Sequence, residues 1–258
     1  MAERKIKSGD FLKFLGTAGA RFVMIKQLRH SGGIWVSAKG AQILIDPGPG
    51  SLVRCLSSRP KLDPASLDAI ILTHRHIDHC NDVNVMIEAM TEGGFKKRGK
   101  VFCPKDAIAG DPVIFKYVRK YLDKIVLLKE RSRYRSGNFD FQTSMSHIHP
   151  AQTYGLKFEL NGRSVGLMTD TAAFDKLKDF YKVHTLIMCV VFPERRPGIA
   201  HLSLEEAVVL IKQLKPHRVV LTHFGRMMLA AKPWLLAEKL SQELGIEIIA
   251  ATDGMTIT

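Results

Sequence analysis

Asp68-Ala69-Ile70-Ile71-Leu72-Thr73-His74-Arg75-His76-Ile77-Asp78-His79-Cys80 is the stretch on which the reading of this 258-residue chain turns. Its first half is a short apolar run bounded by charge, the pattern of a fully buried strand. Its second half packs three of the chain's ten histidines and an aspartate into six residues. A helix would fan these side chains around its axis, whereas a loop leaving a strand end turns alternate ones toward a common point. Imidazole with carboxylate is the donor set that suits zinc, manganese or iron. A metal centre at the tip of a buried strand is therefore the first expectation.

The same pattern recurs along the chain. Segments 33–37 and 42–46 flank Lys39-Gly40 as a hairpin, and Asp46-Pro47-Gly48-Pro49-Gly50 stops the second strand with Asp46 at its tip. Further strands are expected at 11–15, 101–102, 125–128, 139–145, 154–160, 164–168, 185–188 and 218–222, with Asn161-Gly162 as a hairpin turn. His149, Asp170 and His223 each follow one of these runs. Helices are expected at 83–90, around 113–121, near 174–181 and from Ser203, where Ser203-x-x-Glu206 is a capping box ahead of Ala207, Leu210, Ile211 and Leu214. Two strand-rich halves, each followed by helices and joined without a linker, predict a single domain over residues 1–258, two packed sheets with helices outside.

Composition bounds the function classes. No apolar stretch reaches membrane-spanning length, and Met1 to Ser8 is charged without a segment like a signal peptide, which implies no membrane and a cytoplasmic location. Cys55, Cys80, Cys103 and Cys189 form no Cys-x-x-Cys pair and read as small buried hydrophobes, though Cys80 directly follows His79. The net charge is +13, and residues 92–135 hold 13 Lys and Arg against 5 acids. That surface would steer an anionic small-molecule or nucleic-acid substrate, or is simply a solvated face. A second copy of the chain, in a homodimer, is a further candidate partner.

The His-x-His-x-Asp-His run at 74–79 resembles the hallmark of the metallo-β-lactamase fold hydrolases. The likeness spans almost the whole chain: Gly-Thr-x-Gly at 16–19, Asp46, the cluster, His149, Asp170 and His223 occur in that family's order. It implies an α/β fold, a four-layer αββα sandwich of two mixed sheets with helices on the outer faces. It also implies two divalent metal ions, zinc foremost, with manganese or iron as alternatives. His74, His76 and His149 would bind one ion, Asp78, His79 and His223 the other, and Asp170 would bridge, while Asp46 would orient a ligand histidine. His149 is preferred to His147 because family members place a glycine and an aromatic-rich strand shortly after the ligand, as Tyr154-Gly155 does here. Asp253 is similar to a C-terminal motif of some relatives, with an exposed turn aspartate as the alternative.

The superfamily hydrolyses β-lactams, thioesters, lactones, phosphodiesters and RNA, and a few members reduce oxygen, so local sequence must choose among them. His76 stands where the di-iron oxygen reductases usually carry glutamate, which points to hydrolysis. Only 35 residues follow His223, little for the helical substrate domain of glyoxalase II relatives. Ala200-His201-Leu202-Ser203-Leu204-Glu205-Glu206-Ala207, followed by Val219 to Phe224, resembles the tRNase Z and cyclic-phosphate phosphodiesterase branch, in which a non-ligand histidine precedes this helix. By that likeness His201 is catalytic beside Asp78, protonating the leaving alkoxide or stabilising charge on a phosphoryl oxygen.

His149 and Asp170 are 21 residues apart, which leaves no room for the tRNA-gripping arm of typical tRNase Z enzymes. The spacing is similar to that of a compact cyclic-phosphate phosphodiesterase of phosphonate breakdown, whose N-terminal cysteine-rich zinc site has no counterpart here. Arg195 and Arg196 are candidates to clamp a phosphate, against the reading of a solvated loop pair. Asn81 and Asp82 are expected to cap the helix that starts at Val83, or else to line the pocket. The expected function is a binuclear metal-dependent phosphodiesterase acting on a cyclic phosphate, nucleotide or RNA-derived phosphodiester. A carboxylic ester or lactone hydrolase, and an RNA-binding protein with a vestigial site, are the alternatives.

Overall fold

Apolar residues on both faces of successive short strands build two seven-stranded sheets in the computed structural model, which describes residues 9–258. The charged segment 1–8, on which the absence of a signal peptide was read, lies outside the described residues. With strands numbered along the chain, the first sheet runs β14 (Thr256–Ile257), β1 (Phe11–Phe14), β2 (Ile34–Ala38), β3 (Ala41–Ile45), β4 (Ala69–Ile71), β5 (Lys100–Cys103) and β6 (Lys124–Leu127). The second runs β13 (Glu247–Ala250), β12 (Arg218–Thr222), β11 (Thr185–Cys189), β10 (Arg163–Met168), β9 (Tyr154–Leu160), β8 (Phe139–Ser146) and β7 (Arg133–Ser136).

Both sheets share one plan. From β14 to β3 and from β7 to β10 every pairing is antiparallel, and from β3 to β6 and from β10 to β13 every pairing is parallel. Parallel neighbours need crossovers, and the helices fall there. Ser51–Ser57 and Val83–Met90 cover the first sheet, and Leu204–Leu214 and Pro233–Leu244 the second. Polar residues at the carboxyl ends of parallel strands therefore gather at one rim of the sandwich, where open α/β sheets bind ligands.

Three cores separate the four layers. Between the sheets, Val36, Ile43 and Ile45 meet Phe141, Leu156, Phe158 and Ile187. On one outer face Leu44, Ile70 and Val101 lie under Met86, Ile87 and Met90, and on the other Leu186, Val219 and Leu221 lie under Ala207, Leu210 and Ile211. The run Ala69 to Leu72 is buried on both faces, which is why it reads as an unbroken apolar stretch. Ser203 and Glu206 form the expected capping box.

Elsewhere the expectations fail for identifiable reasons. The helix expected around 113–121 is only a single turn at Val118–Tyr121. Asn84 captures the backbone before it, donating to the Val113 carbonyl and accepting from the Phe115 N–H, both at 2.8 Å, while the Arg119 guanidinium donates to the carbonyls of Ile108 and Ile114. The helix expected near 174–181 is a short turn at Asp175–Asp179. Asp82 opens the helix Val83–Met90 without a side-chain cap, because its carboxylate instead accepts the Leu52 N–H at 3.2 Å in the first turn of another helix. Strands β7, β13 and β14 were missed, as was Pro233–Leu244, although Pro233 at its start and Gly245 at φ 64° past its end were available signals. Among the described residues no helix is long and apolar enough to cross a membrane.

Candidate metal centre

The site begins with Asp46, held at φ 52° immediately after β3. Its carboxylate accepts hydrogen bonds from the Thr73 N–H at 2.7 Å and the Thr73 hydroxyl at 2.6 Å, which ties the end of β3 to the end of β4. It also faces His79 Nδ1 at 2.9 Å, so that Nδ1–H is consumed and Nε2 turns inward. His74 is handled the same way, with Nδ1 3.1 Å from the Thr73 hydroxyl. His149 donates from Nδ1 to the Ala200 carbonyl at 3.0 Å. Three imidazoles are thus fixed in one tautomer, each presenting Nε2.

Those nitrogens converge. His149 Nε2 lies 2.9 Å from His76 Nδ1, and His79 Nε2 lies 2.9 Å from His223 Nε2, itself 3.3 Å from Asp78 Oδ2. Asp170, at the end of β10, sits between the two pairs. Its Oδ2 is 3.7 Å from His74 Nε2, 3.5 Å from His79 Nε2 and 3.9 Å from His149 Nε2, and its Oδ1 is 3.5 Å from His223 Nδ1. The seven residues singled out in the sequence fall into two groups able to hold a metal ion: His74, His76, His149 and Asp170, and Asp78, His79 and His223. Cys189 joins Asp170 and His223 in another such group, a neighbour that the sequence did not suggest.

Supporting residues explain several sequence signals. A Cβ at Gly19 would overlap the His223 backbone, so only glycine lets the turn after β1 pass beside that ligand candidate. His147 does not enter the cluster. It donates from Nδ1 to the Asp170 carbonyl at 3.1 Å and accepts from the Tyr181 hydroxyl at 2.8 Å, bracing the Asp170 loop from behind. Gly155 makes room for that hydroxyl. Asp253 is not a solvated turn residue. It accepts from the Thr17 N–H, the Thr17 hydroxyl and the His30 N–H at 2.9, 2.7 and 2.9 Å.

His201 does reach the cluster, with Nδ1 3.5 Å from Asp170 Oδ2 and its ring centroid 5.1 Å from that of His149. Arg195 instead turns to the start of the Leu204–Leu214 helix, its N–H donating to Glu205 and its Nε 3.5 Å from Glu206. Arg196 is exposed beside Met227. Cys80 is buried and donates to the Arg75 carbonyl, and burial pushes its thiol up to about 12, as it does for Cys55 and Cys103.

The charge distribution suits cation binding. Burial, reinforced by neighbouring histidines, holds His74 well below the usual histidine range and lowers His76. These imidazoles remain neutral, the form that binds metals. Burial disfavours charge on His79 too, but Asp78, Asp170 and Asp46 overcome it and raise its pKa. Burial likewise opposes ionisation of Asp170, yet His223 and His79 hold its carboxyl well below the ordinary range. Buried and without hydrogen-bond partners are His74 Nε2, Asp170 Oδ1, His201 Nδ1 and His223 Nδ1. Each such atom costs about 1–3 kcal/mol unless something satisfies it, and imidazole with carboxylate donors around it fits a metal site.

Removing the brace from His79 should be measurable. Asp46→Ala is expected to weaken metal binding by about 10- to 100-fold, read as the chelator concentration that strips half the metal. Unaltered retention in a folded variant would remove Asp46 from the role of orienting His79.

The model of the beta-lactamase superfamily domain matches residues 41–224, a span that includes Asp46, all seven clustered residues and His201. An uncharacterised protein of Methanocaldococcus jannaschii is 29% identical over 253 residues, 95% of this chain and 93% of its own. Among solved structures, the metallo-beta-lactamase fold protein YhfI of Bacillus subtilis superposes with a TM-score of 0.78 at 19% identity, over 97% of this chain and 99% of its own. A diphosphatase from the PhnP family superposes with a TM-score of 0.72 at 19% identity, over 96% and 97%. With a family model spanning the whole cluster and two mixed sheets that follow the metallo-β-lactamase fold, the chain belongs to the beta-lactamase superfamily.

Proposed function

We propose that this protein is a phosphodiesterase working with two divalent cations, zinc first among the candidates, on a cyclic phosphate, a nucleotide or an RNA-derived phosphodiester. The observation that carries the reading is His201, whose side chain is 19% exposed and touches Asp170 beside both donor groups without belonging to either. In the arrangement proposed, His74, His76 and His149 hold one cation, Asp78, His79 and His223 the second, and Asp170 serves both. Bound there, the cations would supply Lewis acidity toward the phosphoryl oxygens.

His201 does work that the ligands cannot. Burial lowers its pKa to about 4, with Asp170 pulling the other way, so the imidazole is uncharged at neutral pH. An uncharged ring close to the cluster can donate its N–H as a hydrogen bond to a phosphoryl or departing oxygen, stabilising negative charge as it develops there. The reading is further supported by the PhnP-family diphosphatase among the structural neighbours and by a net charge of +13, which attracts an anionic substrate more than a neutral ester. Arg196, exposed beside Met227, is the better placed of the two arginines to meet a phosphate, since Arg195 turns to the acidic start of a helix.

The zinc-loaded protein is expected to hydrolyse bis-p-nitrophenyl phosphate faster than p-nitrophenyl acetate or an acyl lactone, and to lose that activity on chelation. Faster turnover of the lactone or the acetate would replace the phosphodiester reading with carboxylic ester chemistry.

A further inference from the structure

The basic stretch noted in the sequence carries exposed aromatic rings. Phe95 is 94% exposed, Phe115 51% and Tyr117 54%. They lie around Tyr121. Gly94 packs against the Tyr121 ring, Tyr117 meets it with centroids 6.3 Å apart, and Phe115 stacks on Tyr117 at 6.1 Å with planes inclined by 27°. Exposed lysines are interleaved with them. Lys96 and Lys97 follow Phe95, Lys116 separates Phe115 from Tyr117, and Lys120 Nζ stands 5.5 Å over Tyr121.

The rings are presented on a pinned backbone. Asn84 clamps Val113 and Phe115, Arg119 clamps Ile108 and Ile114, and Arg98 donates to the carbonyls of Ala65 and Leu67. A surface fixed in advance loses little freedom when it binds. The same segment touches residues that flank the ligand candidates. Arg75, between His74 and His76, pairs with Asp111 at 3.1 Å, and Gln152, close after His149, exchanges hydrogen bonds with Lys105 and Asp106. Phe115 lies four positions after Asp111, at most about 14 Å of chain.

We infer that this strip, Phe95, Phe115, Tyr117 and Tyr121 with Lys97 and Lys116, is a docking surface for single-stranded nucleic acid that leads toward the metal centre. Flat rings stack on unpaired bases whatever their identity, and the lysines among them offer charge to the phosphates that join those bases. An acidic peptide would use the lysines and leave the rings idle. Duplex DNA presents no open base faces to them. The inference rests on the phosphodiesterase reading for the fate of the bound strand, and not for the docking itself.

The test is fluorescence anisotropy of a labelled oligodeoxythymidylate of about 12 nucleotides with the zinc-loaded protein, alongside turnover of bis-p-nitrophenyl phosphate. The wild-type protein is expected to bind the strand in a salt-sensitive manner. Phe115→Ala with Tyr117→Ala should weaken binding by about tenfold or more, Phe95→Ala should weaken it further, and both should leave turnover of the small phosphodiester unchanged. No binding by the wild-type protein, or equal binding by the alanine variants, would overturn the inference. So would parallel loss of binding and turnover in those variants, which would make the rings part of the fold or the site instead. Strand binding in a protein that hydrolyses no phosphodiester would leave the surface standing and remove the phosphodiesterase reading.

Discussion

Asp170→Asn should lower turnover in the proposed reaction by about a thousandfold or more, on the order of 4 kcal/mol in the barrier, and should reduce the metal bound per chain. Asparagine has nearly the volume of aspartate, so the loss is one of charge rather than packing. Asp170 is 2% exposed and within 4 Å of His74, His79, His149, His201 and His223, a set that spans both donor groups. The amide cancels the negative charge that draws cations between them and turns a donor N–H toward at least one imidazole. Metal content by elemental analysis should fall together with turnover. An Asp170→Asn protein that kept the wild-type metal content and turnover would dismantle the shared-carboxylate arrangement.

His201→Ala should behave differently. Turnover is expected to fall by about a hundredfold or more while metal content stays full, because His201 belongs to neither donor group. His201→Gln keeps an amide donor and should recover part of the rate. The pH dependence has a definite sign. With its pKa held at about 4, the functional neutral ring is already complete at neutral pH, is unaffected as pH rises, and is lost only as pH falls toward that value. The wild-type to His201→Ala ratio should therefore be level from neutral to alkaline pH and shrink in acid. Equal turnover by the two proteins would exclude His201 from catalysis.

The cluster was legible because its signals are local. His74, His76, Asp78 and His79 are neighbours in sequence, and Asp46, Asp170 and His223 each close a short apolar strand. What escaped was arrangement at a distance. Asp253 bonds to Thr17 across 236 residues, His147 links the Asp170 carbonyl to the Tyr181 hydroxyl, and Asn84 overrides helical spacing some thirty positions downstream. In each case one polar side chain satisfies backbone groups of a remote segment, an effect that periodicity does not carry. Edge strand β7, Arg133-Tyr134-Arg135-Ser136, was missed because its exposed positions leave almost no apolar alternation.

The Asp253 contacts reach into the life of the chain. Asp253 fastens the turn of Thr17, Gly19 of that turn presses on His223, and β14 seals β1. During synthesis His74 to His79 emerge early, yet the turn that packs His223 is not fastened until residues some thirty positions beyond that last ligand candidate have been made. A chain shortened before Asp253 would then keep every candidate cation donor while losing the clasp on the turn that packs His223.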